Sequence, residues 1–213
     1  MMRAAFGVAI IFIAACAGSA WAGGLQSLES FIKQVKSGQA NFSQVVTAPA
    51  RDGQTARART SSGTFSFSRP NRFKFIYKKP FEQTIVADGQ TLWMYDIDLN
   101  QVTARKQAQV LGSTPAALIA AAADIKALEA DFVLSDLPAQ DGLEWAMATP
   151  KGKDTPLQSV RVGFKGADLV RLEILDSFGQ KSVMAFTEFR GNIALDAAAF
   201  QFKPPAGADL VRQ

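Results

Sequence analysis

The chain has 213 residues, 16 of them Phe, with 1 Cys, no His and a formal net charge of +4. The lack of His excludes Ser-His-Asp and Cys-His nucleophiles and every His-ligated metal centre, leaving carboxylates, Lys, Tyr and hydroxyls for any catalysis. A charge this modest does not point to nucleic acid, and the sequence carries neither a basic helix nor a Gly-rich phosphate loop.

The first 22 residues read as an export signal. Arg3 gives a positive start, an apolar run follows from Phe6 to Ala15, and Ala20-Trp21-Ala22 supplies small residues for a peptidase. The run is too short to span a bilayer. Cleavage after Ala22 is expected to leave residues 23–213 as one domain in the periplasm. Ile13-Ala14-Ala15-Cys16 also resembles a lipobox, so lipidation at Cys16 is the alternative. With cleavage after Ala22 the mature chain has no Cys, and stability must come from packing.

Leu25, Leu28, Phe31, Ile32 and Val35 recur at helical spacing and predict an amphipathic helix ending near Ser37-Gly38. The period then becomes two. Strands are expected over residues 40–47 and 62–69, separated by a polar loop that contains Pro49 and Asp52-Gly53. After the Pro70-Asn71 turn, Phe73, Phe75 and Tyr77 continue an apolar face. Residues 83–87 and 91–95 form a hairpin across Asp88-Gly89, and residues 99–105 complete the first half of the sheet.

Ser113-Thr114-Pro115 opens a helix with a hydroxyl cap and Pro in the first turn. An apolar stretch over residues 116–123 follows, and a second short helix runs to about Ala130. Strands resume over residues 132–135, 143–148, 159–164, 169–175 and 182–189, and a last one is expected over residues 200–202. The fold class is mainly β with α: an incomplete antiparallel β-barrel of about ten or eleven strands, with a helical lid over an apolar concave face.

Phe65, Phe67, Phe73, Phe75 and Tyr77 share one parity, and Arg69 lies among them. Arg72, Lys74 and Lys78 take the other parity, which suits a solvated convex face. Two readings stay open on this pattern. Either the aromatic parity is ordinary core and Arg69 marks a strand end, or Arg69 points into an apolar concavity, where a charge must be paired or hydrogen-bonded. Asp96 and Asp98 likewise read as a hairpin closure or as paired carboxylates for acid–base hydrolysis.

The segment GTFSFSRPNRFKFIYKKPFEQTIVADGQTLWMYDIDLNQVTAR (residues 63–105) resembles the periplasmic lipoprotein carrier family, LolA. So do Ser113 to Ile119 and the ending FQFKPPAGADLVRQ (residues 200–213). The resemblance covers essentially the whole chain after residue 22 and implies no enzyme activity and no cofactor or metal. It implies a monomeric carrier that takes lipid-modified lipoproteins from an inner-membrane ABC exporter and delivers them to an outer-membrane acceptor. It further implies that Arg69 latches the empty cavity by bonding the lid, with Leu118 and Ile119 beyond Pro115 offering backbone carbonyls. Phe73 and Phe75 fall at the family's aromatic cavity positions. Two departures are visible: Phe75 stands where Trp is common, and Ala116-Ala117 is less bulky than usual. A membrane-anchored acceptor of the same fold and a carrier of other periplasmic lipids are the remaining alternatives.

Overall fold

The computed structural model describes residues 23–50, 55–110, 122–153 and 155–213. The signal segment with Cys16, and the expected lid helix with Pro115, Leu118 and Ile119, lie outside the described residues. The first helix, α1 (Gly24–Gln34), buries Gly24, Ser27, Leu28, Phe31 and Ile32. That is the stripe an amphipathic helix lays on a core.

The strands are β1 (Ser37–Thr47), β2 (Ala58–Ser68), β3 (Arg72–Lys79), β4 (Gln83–Ala87), β5 (Thr91–Asp96) and β6 (Gln101–Lys106). After the short helices α2 (Gln107–Val110) and α3 (Ile125–Asp131) come β7 (Phe132–Gln140), β8 (Leu143–Pro150), β9 (Leu157–Lys165), β10 (Asp168–Asp176), β11 (Lys181–Gly191) and β12 (Asp209–Arg212). They form one open sheet of twelve strands in the order β12-β6-β5-β4-β3-β2-β1-β11-β10-β9-β8-β7. The two ends of this order, β12 and β7, do not pair with each other, so the barrel is incomplete as the alternation predicts. Every pairing is antiparallel except β12 on β6.

The β4–β5 hairpin forms at Asp88-Gly89 for a local reason. Gly89 takes φ 105°, and Asp88 Oδ1 accepts the backbone N–H groups of Gln90 and Thr91, both at 2.8 Å. Its other oxygen accepts Trp93 Nε1–H at 2.9 Å. At the far edge, β7 carries an exposed Pro138 and a register shift between Leu137 and Gln140.

Three features differ from the sequence reading. Residues 200–202 are not a strand: a 3-10 turn (Ala197–Phe200) capped by Asp196 leads into irregular chain. The twelfth strand lies instead at residues 209–212, lengthening the sheet beyond the expected ten or eleven. The convex face of β3–β6 is also not simply solvated. The C-terminal segment lies across it, with Phe202 against Trp93 (ring centroids 5.6 Å apart) and Tyr95. Phe200 is buried, and Arg72 and Lys74 are only half-exposed beside it.

Candidate functional site

Partners directly opposite in a sheet share a face, so the register defines the concave surface. One row runs Ala40, Phe65, Phe75, Ile85 and Met94, and the next Phe67, Phe73, Ala87 and Leu92. Across β1 the face continues through Phe42, Phe186 and Met184 to Leu172, Val162 and Ala146. The aromatics expected from parity therefore do meet. Phe65 stacks on Phe75 at 4.5 Å, and Phe42 meets Phe75 edge-on at 5.6 Å. Phe42 and Phe186 join this surface although parity within one segment gave no sign of them, because they come from strands far away in sequence.

The face is covered. Phe67 and Phe73 are 0% exposed, Phe65 2% and Phe75 3%. On the β7–β9 side the cover is α1, whose Phe31 packs against Phe67 and Phe164. Its position is fixed by direct contact: a Cβ on Gly24 would lie 2.0 Å from the Trp145 carbonyl carbon, so the helix starts on the backbone of β8. Leu25 N–H donates to Asp136 at 2.7 Å, and Ser27 bonds Glu144.

Arg69 sits at the end of β2 beneath this cover, 8% exposed. Its Nε donates to the Val35 carbonyl at 2.9 Å and its Nη1 to the Ala122 carbonyl at 2.8 Å. Val35 is the C-cap of α1, so the cation meets the negative end of a helix dipole. The guanidinium also lies 5.2 Å from the Phe67 ring centre and 5.4 Å from that of Phe31. Burial draws its pKa down from 12.5 to about 10. It remains a cation at neutral pH, consistent with the charge-assisted bonds it makes. The expected partners Leu118 and Ile119 lie outside the described residues; Ala122 belongs to the same apolar stretch, whereas Val35 was not expected.

The other end of the concave face is polar. Register places Gln44, Ser61, Tyr77 and Gln83 on the same face, toward the loops that join β3 to β4 and β5 to β6. With Lys79, Phe81 and Leu99 among others they line a cavity of about 590 Å³. Tyr77, expected as part of the apolar wall, is on the predicted face but half-buried, and its O–H donates to Gln44 at 3.0 Å. Gln44 donates in turn to Ser182 at 2.8 Å. Burial raises the Tyr77 pKa to about 12, which keeps it a neutral hydroxyl. Asp96 and Asp98 also line this mouth. Asp96 accepts the Leu99 backbone N–H at 3.0 Å, the hairpin-closing role.

A family model described as outer membrane lipoprotein carrier protein LolA matches residues 33–203. The outer-membrane lipoprotein carrier protein of Albidiferax ferrireducens is 69% identical over 209 residues, covering 96% of this chain and 98% of that protein. Its counterpart in Leptothrix cholodnii is 49% identical, covering 99% and 98%. Among solved structures, a LolA superfamily protein from Nitrosomonas europaea shares the fold with a TM-score of 0.50 and 15% identity, over 85% of this chain and 98% of that one.

Proposed function

Because the chain belongs to the LolA family of outer membrane lipoprotein carrier proteins, we propose that it carries lipid-modified lipoproteins through the periplasm, with the concave aromatic face as the acyl-chain site. It takes its cargo from an inner-membrane ABC exporter and gives it to an outer-membrane acceptor. The observation that supports this most is a continuous apolar face that is covered and that meets, near one end, the buried cation Arg69.

The energetics set what such a carrier must do. Each buried methylene is worth about 0.8 kcal/mol, so an acylated protein does not enter water without a comparably apolar host. The host must also let go, and nothing in this chain's chemistry supplies energy at delivery. Arg69 provides a means. Its bonds to Val35 and Ala122 favour the covered, empty form, and acyl chains reach Phe67 and Phe73 only if the cover moves. A hydrogen bond to a charged group contributes about 1.5–3 kcal/mol, so breaking two on loading leaves the loaded form poised to release and re-close.

Transfer by an Arg69→Leu variant tests the latch. The variant is expected to accept lipoprotein yet pass it on poorly, so that loaded carrier accumulates when exporter and acceptor vesicles are both present. Delivery at the wild-type rate would refute the role given to Arg69.

A further inference from the structure

The concave face changes character along its strands. Near Arg69 it is almost wholly aromatic and aliphatic; towards the β3–β4 and β5–β6 loops it turns polar within a few residues. From Phe67 to Ser61 is six strand steps, about 20 Å at roughly 3.3 Å per residue, the reach of a long fatty-acyl chain. At the polar end three side chains from β3, β1 and β11 are joined: Tyr77 to Gln44 to Ser182. β2 lies between β3 and β1, and the bond passes over it near Gly63. There β2 and β3 approach so closely that a Cβ would sit 1.9 Å from the Ile76 carbonyl oxygen.

This chain of bonds clamps the Gln44 amide from both sides. One of its two N–H groups is spent on Ser182 and its carbonyl on Tyr77. The second N–H has no protein acceptor among the described residues, and Gln44 and Tyr77 both line the mouth cavity. A fixed amide donor at the boundary between an apolar trough and a wet mouth matches the place where a lipid's hydrocarbon ends and its ester carbonyls begin. Tyr suits such a boundary, with an apolar ring facing one way and a hydroxyl the other.

We infer that Gln44, held in position by Tyr77 and Ser182, donates a hydrogen bond to an acyl-ester carbonyl of a diacylglyceryl group at the mouth. The acyl chains then run inward over Phe75, Phe65, Phe73 and Phe67, and whatever the glyceryl group carries leaves through the mouth. The inference rests on the carrier reading and assigns the ligand an orientation and a recognised chemical group. Gln44 is the binding donor; Tyr77 and Ser182 are positioning residues. The same ester chemistry occurs on an acylated protein N-terminus and on a free glycerophospholipid.

The test is equilibrium binding of the full mature protein to three probes. These are a dipalmitoylglyceryl-cysteinyl peptide, its ether-linked analogue of equal chain length, and a diester phosphatidylethanolamine. Wild type is expected to prefer the ester peptide to the ether peptide by about tenfold, the worth of one net hydrogen bond. Gln44→Leu and Tyr77→Phe should bring that ratio towards one by weakening ester binding more than ether binding, a split that loss of fold would not give. Preference for the ester peptide over the phospholipid supports the proposal with lipidated protein as the ligand, and equal binding of the two supports it with glycerolipids in general. Equal affinity of wild type for ester and ether peptides overturns the Gln44 assignment and leaves the carrier reading intact. Failure of wild type to bind either peptide removes the carrier reading and this inference with it.

Discussion

Phe73 is the most sensitive single position in the apolar wall. It is fully buried, opposite Phe67 on one side and Ala87 on the other, and a carboxylate there would put a charge into an apolar wall and compete for Arg69 beside Phe67. Phe73→Glu is therefore expected to abolish loading of acylated cargo; unimpaired acceptance, measured as lipoprotein released from exporter vesicles, would show that the wall is not the acyl site. Asp88 controls a different property. Burial alone would raise its pKa, but the N–H groups of Thr91, Trp93 and Gln90 outweigh that and hold it below the usual carboxylate value. A carboxylate with a lowered folded pKa stabilises the fold above its unfolded pKa, near 4, and the benefit fades as pH falls through the folded value. Asp88→Ala should cost about 1 kcal/mol at neutral pH, since solvent screens a half-exposed carboxylate, and urea melts should show the gap to wild type narrowing well below pH 4. Both residues were legible in sequence, Phe73 from period-two alternation and Asp88 from the Asp-Gly turn. Gln44 was not, because a glutamine in a half-polar strand looks like solvated surface. Its role needs the strand order that puts Ser182 and Tyr77, 138 and 33 positions away, on either side of it.

At the scale of elements, α1 matters more than its eleven residues suggest. It covers the β7–β9 side of the trough and presents the Val35 carbonyl to Arg69. Its register depends on Gly24 touching the β8 backbone. Gly24→Ala should push the helix off that strand, destabilising the protein by about 1–3 kcal/mol through overpacking. A calorimetric melting temperature within error of wild type would refute the close-contact account. The helix itself was readable from its apolar spacing, whereas the strand against which it packs was not. The C-terminal segment shows the opposite case. Phe200 and Phe202 alternate like a strand, but they are used to cover the convex side of β3–β6, and the strand forms later at Asp209–Arg212. A four-residue strand whose one ladder among the described residues is a parallel pairing with β6 has too little local pattern to be found without its partner.

For the whole molecule, the long central strands β1, β2 and β11 form a ladder that loading has no need to disturb. The cover is held by side-chain packing and a few hydrogen bonds from single residues. Hydrogen exchange on empty and cargo-loaded protein should therefore show α1 amides and the chain around Ala122 losing protection while β1, β2 and β11 keep theirs. Uniform protection in both states would mean that the acyl chains lie elsewhere. The general architecture was visible in advance because the alternation and the turn residues agreed. The polar mouth was not, since it exists only after strands from both ends of the chain are laid side by side.

An open sheet has an additional consequence for a molecule that travels through a crowded compartment. The unpaired side of β7 offers backbone groups to any strand that meets it, including the same strand of another copy. Pro138 has no N–H to offer at its position, and the shift between Leu137 and Gln140 breaks the even spacing a second strand would need. The open edge of β7 is thereby a poor template for a second strand.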